Sequence, residues 1–303
     1  MAAGCECSAG LSNTGKPGCV SIFSVTSSMI QVPLFGNDGI KNGINLNAAL
    51  PVWEDLINEA DPSKRWFPLP TFENVELPKA DSQFEEANSG RMVFLRQGKR
   101  SFSGELWAED STTTFLGKLR NSRCVDFGIY IIDVNGNLIG SEVDGYLYPI
   151  PVDNPSWDPR FMFATDSTTQ KIMLGFDFDR LFDESTMYQI SPEEAGINFN
   201  SLKGLIDVNF LSLAGTVTGL SFSAKLSYGT ALNKVIFGGA LAADFAITNV
   251  TTGLPIAIDS LSEAPEGTYS IVYSSPDQPV ISDVVKIEIS KIGYDGEAEL
   301  ITA

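Results

Sequence analysis

The chain of 303 residues carries 20 Lys and Arg against 38 Asp and Glu, a formal charge of −18, and 43 % of it is hydrophobic. That apolar content suffices for a core in about two domains and excludes wholesale disorder. The acid excess argues against a basic nucleic-acid reader or an anionic membrane surface as partner, and the absence of histidine removes Ser-His-Asp and Cys-His nucleophiles and imidazole metal sites.

Charged residues are only 19 %, while Gly and Phe are plentiful at 27 and 19, a profile that favours a mainly β protein with many short turns. Residues 1–20 read as an extended, Gly-punctuated arm. It begins Met-Ala-Ala-Gly-Cys-Glu-Cys, without the basic and apolar regions of a secretory signal. The longest apolar run, residues 235–243, stops at Asp244, far short of the ~20 residues that span a bilayer. The expectation is a soluble product made in the cytoplasm. Cys5, Cys7 and Cys19 crowd the arm and Cys124 stands apart. Free thiols are the simpler reading, since zinc would need all four sulfurs. Gly10-Leu-Ser-Asn-Thr-Gly15-Lys16 matches a phosphate loop until Pro17 replaces the required Ser or Thr, and no strand precedes it, so no nucleotide site is expected.

Residues 20–35 are β-rich and end in the turn chemistry of Gly36-Asn-Asp-Gly39. A short helix is expected within residues 45–60, with Trp53, Leu56 and Ile57 on one face and Pro51 in its first turn. Residues 61–89 contain Pro62, Pro68, Pro70 and Pro78 among acids and read as a surface or interaction loop rather than core. Met92-Val-Phe-Leu95, a Gln97-Gly98-Lys99 turn and residues 101–108 read as consecutive strands. Residues 111–124 read as a helix capped by Asp110 or Ser111, with Phe115, Leu116 and Leu119 inward. Asn135-Gly136 signals a hairpin between residues 125–133 and 138–150, both turn positions at positive φ. Residues 161–165 and 171–180 are further strands. In the second, Phe176 and Phe178 alternate with Asp177 and Asp179.

After a loop at residues 191–196, residues 203–303 read as a separate unit of about seven short strands, the rhythm of an immunoglobulin-like sandwich. Its expected strands are residues 205–211, 217–228, 234–237, 245–249, 255–259, 268–273 and 284–289.

Candidate chemistry is sparse. Asp133-Val-Asn135-Gly136-Asn137 has its glycine at the fourth position of a would-be calcium loop, so a hairpin turn explains it better. Asp177 and Asp179 share a strand face, which is also what solvated acids on a half-buried strand do. Lys64-Arg65 and Lys99-Arg100 are isolated basic pairs that read as salt-bridge donors to a neighbour's acids. Asn249-Val-Thr251 is turn chemistry without a secretion route. No catalytic residue, cofactor or metal site is expected.

Several features together resemble one family. They are the Gly/Cys-rich arm, the run Ile132-Asp-Val-Asn-Gly-Asn-Leu-Ile-Gly140, Tyr148-Pro149-Ile150 and Gln170-Lys-Ile-Met-Leu-Gly-Phe-Asp-Phe178. In the last unit, Ala243-Asp-Phe-Ala-Ile-Thr-Asn-Val-Thr-Thr-Gly253 and Glu266-Gly-Thr-Tyr269 join them. The chain resembles the tail tube (major tail) proteins of tailed bacteriophages, with a C-terminal immunoglobulin-like domain. The resemblance implies an arm (1–20), a tail-tube β-domain (21–202) built as a β-sandwich or half-barrel with a short packed helix, and an Ig-like β-sandwich (203–303).

It also implies a virion tail location and hexameric rings that stack into a hollow tube, with the arm and residues 61–89 bridging rings. The implied partners are other copies of the chain, a tape measure protein, a terminator and, in contractile tails, a sheath. Genomic DNA would pass through without specific binding, and Asp177 and Asp179 are candidate lumen acids. Another virion part, at the tail tip, baseplate or fibre and adhesive in role, is the alternative. A carboxylate-using glycosidase or carbohydrate-binding module fits less well, for want of a signal sequence.

Overall fold

The computed structural model describes Gly15, residues 22–230 and residues 232–303; the expected arm, its three cysteines and the phosphate-loop near-match lie outside the described residues, Gly15 aside. The chain is 46 % strand and 13 % helix, with curled half-barrel sheets, so the mainly β expectation holds.

The first sheet is organised around Phe127–Asp133. Its sequence, Phe-Gly-Ile-Tyr-Ile-Ile-Asp, has no polar alternation because both faces are buried. Thr26–Pro33 pairs antiparallel along one side and Leu138–Val143 along the other. One face carries Met29, Ile129 and Ile131 into the largest core; the other carries Ile30, Tyr130 and Ile132 into a second. That second core holds Trp53 and Ile57 of the helix Trp53–Ile57 together with Trp66 and Phe199. The helix lies where expected, but Leu56 is only half-buried and Pro51 precedes the N-cap, Val52.

A second sheet, in the order Asp158–Met162, Lys171–Asp177, Ser101–Trp107, Glu73–Glu76, packs across the largest core. Phe102, Trp157 and Phe176 stack at its centre, with Phe127 edge-on to Trp157. Thr113–Asn121 closes the open side with Leu116 and Leu119. Its cap is Thr112, whose hydroxyl accepts the Phe115 N–H at 3.2 Å. The expected cap Ser111 is buried instead, its hydroxyl donating to the Ala108 carbonyl.

Three local expectations are corrected. Residues 61–89 are not wholly a surface loop, because Trp66, Leu69 and Phe72 are buried. Pro68 ends Phe67–Pro68, an edge strand where a missing N–H costs no ladder bond, and Pro70 follows just beyond it. The turn at Asn135-Gly136 has only Gly136 at positive φ, since the buried Asp133 carboxylate accepts the N–H groups of Asn135 and Asn137 and holds the loop from inside. The loop after Ser191 is a one-turn helix, Pro192–Ala195, with a capping box between Ser191 and Glu194.

Residues from Ile206 onward enclose a separate core between two sheets. Ile206–Thr216 and Gly219–Gly229 form a long hairpin at one side, and Val284–Ile289 pairs with Phe245–Asn249 opposite. An unexpected strand, Glu297–Ile301, pairs with Val284–Ile289; its half-buried, charge-rich pattern masks the strand signal in the sequence.

In this core the Tyr269 hydroxyl donates to the Phe237 carbonyl, while the buried Tyr273 hydroxyl has no partner among the described residues. Burial pushes the Tyr273 phenol from its ordinary 10.0 up to about 12. The folded chain therefore holds that proton more tightly than the unfolded chain. The associated stability is full below the ordinary value and is lost as pH rises through about 12. Tyr273→Phe is expected to leave stability at neutral pH unchanged or raise it by about 1 kcal/mol, because it removes a desolvated, unpaired hydroxyl. It should also flatten the alkaline loss. Urea titrations of both proteins at pH 8 and pH 11 decide this, and a marked loss at pH 8 would mean that the hydroxyl has a partner.

Candidate interaction surface

The residues singled out as carboxylate chemistry are engaged within the chain. Asp177 accepts the Ser101 hydroxyl at 2.8 Å and the Lys99 ammonium at 3.3 Å, and Lys99 also reaches Asp153 at 2.8 Å. Those carboxylates, Asp153 foremost, hold Lys99 above the usual ammonium range. Asp179 lies beyond the strand's end and accepts the Leu181 N–H at 2.7 Å. The two acids are thus not a matched pair: one forms an ion pair and the other shapes a turn. Phe176 and Phe178 are both buried, as their alternation predicts.

The basic pairs find acids in their own chain rather than a neighbour's. Arg100 donates to Glu184 at 2.7 Å and Lys79 reaches the same carboxylate at 2.9 Å, which holds Glu184 below the usual carboxylate range. Lys64 pairs with Asp38, and Arg65 with Asp295. Among the described residues no cluster of metal-ligating side chains occurs, and Cys124 is an exposed free thiol.

Two surface features remain. The first is a two-stranded ribbon, Gln83–Glu86 with Met92–Arg96, which pairs with no other strand. Residues 97–99 lead from the ribbon into Ser101–Trp107, which pairs with Lys171–Asp177 and Glu73–Glu76 and not with the ribbon. The ribbon's base is closed by the Ala80 N–H donating to the Lys99 carbonyl, and there Gly98 is required: a Cβ on it would lie 1.7 Å from the Ala80 oxygen. Beyond this crossing the ribbon stands clear. Phe84 and Phe94 meet edge-on at 5.6 Å, yet Phe84, Met92, Val93, Phe94 and Leu95 are 44–58 % exposed and belong to none of the cores. Arg91 and Arg96 bracket this apolar run. The residue types are legible in the sequence, but the run reads as an ordinary strand; only the pairing pattern reveals that nothing covers it.

The second is a cleft of about 1230 Å³ between the half-barrel, the helix Thr113–Asn121 and the C-terminal unit. Lys118–Asp207 at 2.7 Å and Arg65–Asp295 at 2.6 Å join the two units beside it. Its walls include Trp66, Phe67, Phe115, Leu119 and Phe127. Gln31 also lines it: the residue is 7 % exposed and its amide nitrogen has no hydrogen-bond partner among the described residues. Glu109, Asp110 and Asp126 sit on its lining and form no ion pair among the described residues, whereas one cation there, Lys203, is likewise unpaired. Burial, with the Glu109 charge beside it, holds the Asp110 carboxyl above its usual range. No single sequence segment predicts this cleft, because its walls come from positions between 28 and 295.

No protein family, curated protein or solved structure matches this chain. Among the described residues no helix is long and apolar enough to cross a membrane.

Proposed function

We propose that the chain is a structural subunit that polymerises with copies of itself, as the tail tube protein of a tailed phage does: stacked rings form a conduit for genome ejection, and the C-terminal sandwich is an Ig-like decoration. The observation that carries this reading is the uncovered apolar ribbon. A run of large apolar side chains held out on a two-stranded ribbon is costly in a solitary soluble chain and is ordinary at an assembly contact. The mainly β, half-barrel architecture is compatible with a tube wall closed by strands of neighbouring subunits. With −18 per chain, a ring is strongly acidic and repels duplex DNA rather than holding it, which suits passage.

Negative-stain images and sedimentation of the purified protein test the proposal directly. Rings or tubes are expected, and the sedimenting mass should grow with protein concentration. A protein that stays monomeric at high concentration, with no polymer in virions or lysates, overturns it.

A further inference from the structure

We infer that the interdomain cleft is the socket for the ribbon of a second copy of the chain. This rests on the self-assembly reading and adds where the ribbon goes. Three matches between the two surfaces carry it.

The first is apolar. The ribbon presents Met92, Val93, Phe94 and Leu95, and the cleft, with a volume of about 1230 Å³, offers the exposed Phe67 and the half-buried Phe115 over a floor of buried Trp66, Leu119 and Phe127. The second is charge. Arg91 and Arg96 bracket the apolar run, while Glu109, Asp110 and Asp126 line the cleft without an ion pair among the described residues, and they outnumber the one unpaired cation there, Lys203. Seating the ribbon brings two guanidinium groups to three exposed acids that have no cation, a complementarity that steers the encounter and fixes its register. The third is hydrogen bonding. Met92–Arg96 pairs on one side only, so its outer edge carries free main-chain carbonyl groups. Gln31 brings a buried amide nitrogen that needs an acceptor.

Ribbon and cleft are different surfaces of one molecule. Their contact is therefore heterologous: each copy uses its ribbon on one neighbour and its cleft on another, and the chain of contacts continues until a ring closes or a filament grows. This gives a distinctive test. Val93→Glu/Leu95→Glu spoils the ribbon but leaves the Phe84–Phe94 pair, and Glu109→Lys/Asp110→Lys spoils the cleft at two exposed positions. Melting curves establish that both variants fold. Each alone should lose polymer, with association weakened about 30-fold or more, the scale of a hot-spot truncation. Mixed one to one, they keep one intact ribbon and one intact cleft between them. The mixture should then form pairs of whatever unit each variant shows alone, and stop there.

If the ribbon variant fails to polymerise while the cleft variant polymerises normally, or if the mixture does not pair, the ribbon docks elsewhere and the inference is overturned while self-assembly stands. The same holds if neither variant is impaired. If the unmodified chain does not polymerise, the self-assembly reading itself fails and the inference fails with it.

Discussion

Joining Ser82 to Gln97 through Asn-Gly, with residues 83–96 removed, abolishes polymer and leaves a cooperatively folded chain; this is the largest functional effect expected of any change to the molecule. The fold should survive because the ribbon contributes to none of the three cores. Gln83 and Arg96 face each other across the ribbon, so their neighbours lie close enough for a two-residue turn. The base contact between Ala80 and Lys99 is kept. The deleted side chains are largely exposed, so little buried apolar area is lost with them. Polymer should vanish because the deleted residues hold the only long uncovered apolar run on a ribbon free of other strands among the described residues. Sedimentation and thermal melting of the deletion variant check both halves. Undiminished polymer would remove the ribbon from the assembly surface; loss of the melting transition would make it a structural element after all.

Trp157→Ala is expected to have the largest effect on stability, about 3–5 kcal/mol, the cost of emptying a large aromatic site in a packed core. Trp157 is fully buried between Phe127 and Phe176, with ring centroids 5.0 and 5.2 Å away. Its indole N–H donates to the Leu119 carbonyl at 2.7 Å, near the end of the helix Thr113–Asn121, and its own carbonyl accepts from Arg123. Truncation therefore opens a cavity and also strips the helix of a tertiary hydrogen bond. A loss of this size is a large fraction of the roughly 5–15 kcal/mol that holds a typical domain folded. The half-barrel should melt far earlier. The C-terminal unit has its own core, so its transition should move much less. Differential scanning calorimetry of wild type and variant separates the two. A shift of both transitions together would show that the units fold as one, and a small shift of the first would mean that the site collapses around the missing ring.

The same Trp157 site and the ribbon mark where sequence reading succeeds and where it stops. Alternation along a strand is a local property, so Phe176 and Phe178 could be placed inside the core from their spacing alone, and both are buried. The helix ending near Asn121 was legible from Leu116 and Leu119 for the same reason, with its cap misplaced by one or two residues because Asp110, Ser111 and Thr112 all have capping chemistry. Most strands of the last unit also announced themselves through β-branched and aromatic runs between turns.

Charge, composition and missing histidine narrowed the chemistry before any fold was known, because they are sums over the chain and owe nothing to its path. What the sequence could not decide was partnership between distant segments. Trp66, Leu69 and Phe72 lie in a proline-rich stretch with no readable period, and only the edge position of Phe67–Pro68 explains how they reach the core. Lys99 meets Asp177 and Asp153 across the fold, so a cation that reads as a donor to a neighbour is engaged at home. Met92 to Leu95 has the composition of a buried strand. Whether such a run is covered depends on which strand lies beside it, and that is set by the closure of the whole sheet. The cleft is of the same kind: its walls are brought together from both units by packing and by two ion pairs that no local window contains.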